Sequence, residues 1–145
     1  MTTARDLLAQ KKSGGVTTVP PTATVQDAAR LMHEKGIGSL LVAEGATLRG
    51  IITERDVLWR VVAQGRDPAA TLVKDVMTTE VIVVKPEREV DEIEAILMHH
   101  RIRHLPVAGE DGLVGMLSIG DVNAFRAEAD HQKVEYLTEY IYGRS

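Results

Sequence analysis

Two short motifs carry most of the chemistry this chain can offer. Thr53-x-x-Asp56 and Ser118-x-x-Asp121 each set a hydroxyl three residues ahead of a carboxylate, where a strand-like run gives way to a helical pattern. A carboxylate so placed can accept hydrogen bonds from both hydroxyls of a sugar's vicinal pair, and the hydroxyl before it can approach sugar or phosphate. The start of a helix adds free backbone N–H groups and a positive dipole end, which suit phosphate. The same spacing is also a helix capping box, in which the two side chains satisfy the helix's own first N–H groups. Either motif alone reads first as a cap. The recurrence of the pair in matching surroundings favours a ligand role, and one residue can serve both purposes.

Other chemistry is thin. The chain has no cysteine, which excludes disulfides, thiolate chemistry and Cys-ligated zinc. It has no Gly-x-Ser-x-Gly and no glycine-rich phosphate loop. His99 and His100 are adjacent and on a helix would point about 100° apart, His100 and His104 straddle a change of element, and neither His33 nor His131 belongs to a metal-binding spacing. Neither a metal site nor catalysis is expected.

The elements that position the motifs emerge when the sequence is laid on itself. Residues 16 to 60 match residues 81 to 125 at a constant offset of 65, without a gap and with 12 identities in 45 positions. Among them are Val16/Val81, Val19/Val84, Pro21/Pro86, Val25/Val90, Leu40/Leu105, Gly50/Gly115 and Asp56/Asp121. Two copies are too few for a solenoid, so two similar subdomains about a pseudo-twofold axis are expected. Val16 to Val19 and Val81 to Val84 read as short strands. Val25, Ala28, Ala29, Leu31 and Met32, like Val90, Ile93, Ile96 and Leu97, recur at helical spacing. Leu40 to Ala43 and Leu105 to Ala108 read as buried strands, each followed by a turn and a second strand, about Arg49 to Ile52 or Val114 to Leu117, in antiparallel pairing. A further helix begins near Glu54 and near Ile119. The unit is β-α-β-β-α, twice, and the fold class is α+β.

Residues 4 to 12 and Ala70 to Met77 read as short helices, and Lys11-Lys12-Ser13-Gly14-Gly15 and Gly65-Arg66-Asp67-Pro68 as connections. Asp121 to Tyr142 reads as an extended helix whose Tyr136 and Tyr140 share a face. With Tyr142 and with Trp59 these aromatics fit packing or a subunit interface. The expected boundaries are 6–66 for the first repeat (core 16–60), 67–128 for the second (core 81–125) and 129–145 for a helical tail.

Composition sets the outer limits. A chain of 145 residues, 44% hydrophobic and 26% charged, can bury about two thirds of its unfolded surface without staples. Only 3% is aromatic, so the core must be aliphatic. A net charge of −4 disfavours nucleic acid, which asks for a basic footprint, but leaves room for a small phosphorylated ligand. No apolar run exceeds four residues, against about 20 for a membrane span. The first twenty residues lack a signal-peptide stretch, so a cytoplasmic location is expected.

The βαββα repeat, Asp75-Val76-Met77-Thr78, His104-Leu105-Pro106-Val107, and Gly115-Met116-Leu117-Ser118-Ile119-Gly120-Asp121 with its counterpart Gly50-Ile51-Ile52-Thr53-Glu54-Arg55-Asp56 resemble a tandem pair of cystathionine-β-synthase (CBS) domains. The resemblance covers about residues 6 to 125. It implies a disc-like module with a cleft between the repeats, dimerisation through helices, and binding of adenosyl ligands such as AMP, ATP, NAD or S-adenosylmethionine. It further implies a stand-alone regulatory sensor, with AMP the first candidate, ATP or NAD the alternatives, and an unidentified protein target.

On that reading Asp121 with Ser118, and Asp56 with Thr53, would hold riboses. Arg103, His104 and Arg55, with the helix-start residues Ile119 and Gly120, would face phosphate; Arg101 fits a solvated face. Adenine would lie in a thin apolar slot formed at strand ends by Thr18, Val19, Ile37, Gly38 and Ser39 in one copy and Val83, Val84, Ile102, Leu105 and Pro106 in the other. The copies differ at Gly36-Ile37-Gly38-Ser39 against Arg101-Ile102-Arg103-His104, and at Arg55 against Gly120, so two unequal sites are expected. The alternative is an interaction module with no physiological nucleotide, acting through its helices and tail.

Overall fold

The computed structural model describes residues 1–11 and 16–141, with side chains up to His131. Tyr142, most of the Lys11–Gly15 loop and the side chains of Tyr136 and Tyr140 lie outside the described residues. The chain runs through α1 (Ala4–Gln10), β1 (Thr18–Val19), α2 (Val25–Lys35), β2 (Ser39–Glu44), β3 (Thr47–Thr53), α3 (Glu54–Val57, continued by a π-helical turn Leu58–Val62), α4 (Val73–Val76), α5 (Val90–His99), β4 (His104–Gly109), β5 (Gly112–Ser118) and α6 (Ile119–Ile141).

The offset of 65 recurs in the hydrogen-bond register. In the first sheet β2 pairs antiparallel with β3 from Ser39↔Thr53 to Glu44↔Thr47, with a bulge between Val42 and Ala43. In the second, β4 pairs with β5 from His104↔Ser118 to Gly109↔Gly112, with the bulge between Val107 and Ala108. The first copy adds β1, parallel to β2 at Thr18↔Leu41 and Val19↔Val42. The strand expected over Val81 to Val84 shrinks to one bridge, Val84↔Val107. Val84 N–H donates to the Pro106 carbonyl at 3.1 Å, and the Val84 carbonyl accepts Ala108 N–H at 3.0 Å. The next rung would need an N–H from residue 106, which proline lacks and Leu41 of the other copy has.

Each repeat is completed by the segment that precedes the other. Ala4 and Leu7 of α1 are buried with Val84, Ile93, Leu105 and Leu117 in the core of residues 81–125. Val73 and Val76 of α4 are buried with Val25, Leu40, Ile52 and Val61 in the core of residues 16–60. The backbone bonds repeat too: Val90 N–H donates to Thr2 O at 2.9 Å and Ala4 N–H to Arg88 O at 2.8 Å, while Val25 N–H donates to Thr71 O at 2.9 Å and Val73 N–H to Ala23 O at 2.8 Å. This exchange is the pseudo-twofold relation in physical form. The helix expected over Ala70 to Met77 is shorter, starting only at Val73, because Thr71 and Leu72 are extended against the start of α2.

Gly50 and Gly115 sit where these crossing segments meet the sheets. A Cβ at Gly50 would lie 2.6 Å from the Thr78 carbonyl oxygen, and one at Gly115 would lie 2.7 Å from Leu8 Cδ2. At the ends of the equivalent helices α2 and α5, Gly36 takes the left-handed conformation at φ 65° and Arg101 takes it at φ 54°. Among the described residues no helix is long and apolar enough to cross a membrane.

Candidate functional site

Both hydroxyl–carboxylate motifs are capping boxes at strand-to-helix turns. Thr53 N–H donates to Asp56 Oδ2 at 2.9 Å, and Asp56 N–H donates to Thr53 Oγ1 at 3.2 Å. Ser118 N–H donates to Asp121 Oδ2 at 2.8 Å, and Asp121 N–H donates to Ser118 Oγ at 3.1 Å. In each copy the next N–H is satisfied as well: Glu54 N–H donates to Gly38 O and Ile119 N–H to Arg103 O, both at 3.0 Å. The helix starts therefore hold fewer free donors than the sequence alone suggests.

Around this shared frame the surroundings diverge. Asp56 is 6% exposed, and its other oxygen, Oδ1, accepts the Thr78 hydroxyl at 3.2 Å and pairs with Arg60 Nε at 3.7 Å. The Arg60 guanidinium also donates to Val76 O at 3.1 Å, tying this carboxylate to α4. Asp121 is more open, and its partner is Lys11, whose ammonium lies 3.0 Å from Oδ2 and donates to Met116 O at 2.8 Å.

A cleft of about 1120 Å³ opens between the repeats; Lys11 and Ser118, the partners of Asp121, line it, and Asp121 itself does not. One wall comes from the first copy, with Thr17, Thr18, Lys35 and the turn 36–39. The other comes from the second, with His104 and residues 114–118, and α1 closes the end with Leu8 and Lys11. The structure thus brings Thr18, Ile37, Gly38 and Ser39 together with His104 and Ser118 across the repeat boundary. Burial pushes the His104 imidazole below the usual histidine range, the Lys11 ammonium adds to this, and Asp121 opposes it.

Other expected site residues are not in the cleft lining. Val19, Val84 and Leu105 are core side chains, and Pro106 is buried beside them in β4. Ile102 packs partly buried against the second core, and Val83 is 41% exposed outside the cleft lining. Arg103 and Gly120 are exposed. Arg55 is exposed and stacks over the Trp59 ring at 5.1 Å. Sequence reasoning missed Lys11, Lys35 and Thr17 in the cleft, and Thr78 and Arg60 on Asp56. The Lys11-Lys12 pair before a Ser-Gly-Gly loop was the available signal for the first. An adjoining groove of about 480 Å³, which shares Ile37 and Gly38 with the cleft and is further lined by Met32, Glu54, Val57, Leu58 and Val62, runs between α2 and α3. Leu58, Trp59 and Val62 are 56%, 59% and 62% exposed beside it. Among the described residues no three His, Cys, Asp or Glu side chains gather as a metal site.

Comparison with known proteins gives a consistent picture. The family model for the CBS domain matches residues 3–63 and again 73–128. The CBS domain-containing protein YhcV of Bacillus subtilis strain 168 is 38% identical over 107 residues, covering 74% of this chain and 76% of that protein. The solved structure of a protein with CBS domains from Burkholderia ambifaria MC40-6 superposes with a TM-score of 0.78 at 45% identity, covering 83% of this chain and 90% of that one. The CBS domain protein PAE2072 from Pyrobaculum aerophilum, solved in complex with AMP, superposes with a TM-score of 0.72 at 25% identity over 82% of this chain and 88% of that one.

Proposed function

The chain belongs to the CBS domain family and carries the domain twice in tandem, and from that premise we propose that it is a non-catalytic regulatory module that binds an adenine nucleotide, AMP first, in the cleft between its repeats. The observation that carries this reading is the composition of the cleft. It is large enough for a nucleotide, its walls come from both repeats, and Lys11, Lys35 and His104 supply positive or proton-accepting groups in a chain that is acidic overall. The AMP held by the Pyrobaculum relative supports the same ligand class.

In this reading the ribose lies at Ser118 and Asp121, whose Oδ1 is left over from the capping box to accept a sugar hydroxyl. The phosphate lies toward Lys11 and His104, and the adenine toward Thr17, Thr18 and the Ile37–Ser39 turn. A ligand seated there touches both repeats and α1 at once. It shifts how they pack to the extent that it binds one arrangement better than another. The exposed Leu58, Trp59 and Val62 face supports a homodimer, or a protein target, as the reader of that shift.

Calorimetric titration with AMP, ADP, ATP, NAD, NADH and S-adenosylmethionine tests the reading. Saturable binding of at least one, lost in Asp121→Ala protein that remains folded, is expected. Silence across the panel, in folded protein freed of carried-over ligand, would leave the exposed helical face as the functional surface and the chain as an interaction module.

A further inference from the structure

The two repeats share a frame and differ in what surrounds the two carboxylates. On the second, Lys11 lines the cleft, and the Asp121 side chain keeps 22% of its surface exposed. On the first, the Asp56 side chain keeps 8%, and both its oxygens are engaged: Oδ2 by Thr53, Oδ1 by Thr78 and Arg60. A sugar hydroxyl would have to displace one of these donors from a buried carboxylate, which costs a charge-assisted hydrogen bond before any is gained.

Charge points the same way. Glu54 begins α3 where Ile119 begins α6, and a Cβ at Gly38 would overlap the Glu54 carboxylate. The helix start that should welcome a phosphate in the first copy is thus covered by an acid. Asp6 and Asp75 are equivalent in α1 and α4, 69 residues apart, and by the same spacing the counterpart of Lys11 is Glu80. Of the two arginines of this helix, Arg55 leans over Trp59 and Arg60 is engaged by Asp56 and Val76 O.

We infer that this chain binds one nucleotide rather than two, at the Lys11–Asp121 cleft, and that the Asp56 position is a closed structural lock between α3 and α4. The inference rests on the nucleotide reading above and adds to it the stoichiometry and the residue that selects for phosphate. Lys11 exchanges its contact with Asp121 for one with the ligand's phosphate, leaving Asp121 to the ribose.

The test is calorimetry of the full chain, freed of ligand, with AMP and with adenosine. One AMP per chain is expected. Lys11→Met should weaken AMP by about tenfold or more and adenosine far less, since a charge-assisted bond of ordinary strength is at stake. Asp121→Asn should lower affinity for both, and Asp56→Asn should leave AMP affinity within about twofold. Should Asp56→Asn not fold, amide shifts of the unaltered protein decide: AMP should move Thr18, His104 and Ser118 and leave Arg60 and Thr78, the partners of Asp56, in place. Two AMP per chain, equal shifts at both motifs, or equal AMP and adenosine losses in Lys11→Met would overturn the inference while the nucleotide reading stands. No binding of any adenosyl compound would overturn both.

Discussion

Lys11 Nζ and Asp121 Oδ2 are 3.0 Å apart, linking the end of the chain's first helix to the first turn of its last. The two residues are 110 positions apart in sequence, and both side chains are about a quarter exposed. The same ammonium donates to Met116 O, so one cation holds together α1, β5 and α6 at the edge of the cleft. The first copy joins its own segments differently: Arg60 and Thr78 converge on Asp56, and Thr78 pairs with Ile51 through backbone bonds of 2.8 and 2.9 Å. Where the first copy adds a backbone bridge from residue 51 to residue 78, the equivalent Met116 of the second is reached by the Lys11 side chain.

Removing that side chain should loosen the first helix. Lys11→Met is expected to lower stability by about 1 kcal/mol, the scale of a partly exposed ion pair with an added hydrogen bond. The loss should shrink in molar salt as the pair is screened. Urea midpoints of the two proteins at low and high salt measure it.

The two close-approach glycines should differ in cost. Gly50→Ala places its methyl against a backbone carbonyl that cannot retreat without breaking the Ile51–Thr78 bonds, whereas Gly115→Ala meets the flexible end of Leu8. About 2–3 kcal/mol is expected for the first and about 1 kcal/mol for the second, within the range for overpacking. The double variant Gly115→Ala with Leu8→Ala should show positive coupling in a denaturation cycle, and Gly50→Ala should not be rescued by truncating Met77.

Arg101 offers a gain. It holds φ 54° where its counterpart Gly36 holds φ 65°, and a side chain with a Cβ is strained in that region. The exposed Arg101→Gly substitution is expected to raise stability by up to about 1 kcal/mol, offset in part by the greater freedom of glycine in the unfolded chain. Gly36→Arg should lower it by a comparable amount, both read as shifts in Tm.

His104 should make stability depend on pH. Burial and Lys11 lower its pKa in the folded protein, so the unfolded chain binds the proton more readily. Its contribution is therefore fully present above the unfolded value near 6.5 and is lost as pH falls through the lower folded value. His104→Gln should flatten the stability profile below about pH 6.5 and leave it unchanged at pH 8. A phosphate brought beside the imidazole should raise its pKa again, so AMP binding near pH 6 should take up protons. Calorimetric heats should then vary with the buffer's ionisation enthalpy, and fewer protons should be taken up in His104→Gln, where only the phosphate's own proton, with a pKa of about 6, is exchanged.

Much of the architecture was legible in the sequence because it is local and periodic. The antiparallel pairs and the helices α2, α5 and α6 follow from alternation and from spacing at 3.6 residues, and the gapless repeat doubled every signal. Ser118 and Asp121 could be singled out because a capping box has fixed spacing. The same local reading extended the strand at Val81 to Val84, where what decides is a missing N–H on Pro106, a residue on another strand.

Which segment packs on which repeat was a tertiary decision. Local patterning makes α1 amphipathic, but only the pseudo-twofold assembly sends Ala4 and Leu7 into the second core and Val73 and Val76 into the first. That exchange carries Lys11 to Asp121 and Thr78 to Asp56. By itself the sequence determined two equivalent frames, each with its carboxylate. The fold decided which carboxylate is locked and which is held by a lysine that lines a cleft, because charge and hydrogen bonding depend on neighbours in space that no spacing along the chain records.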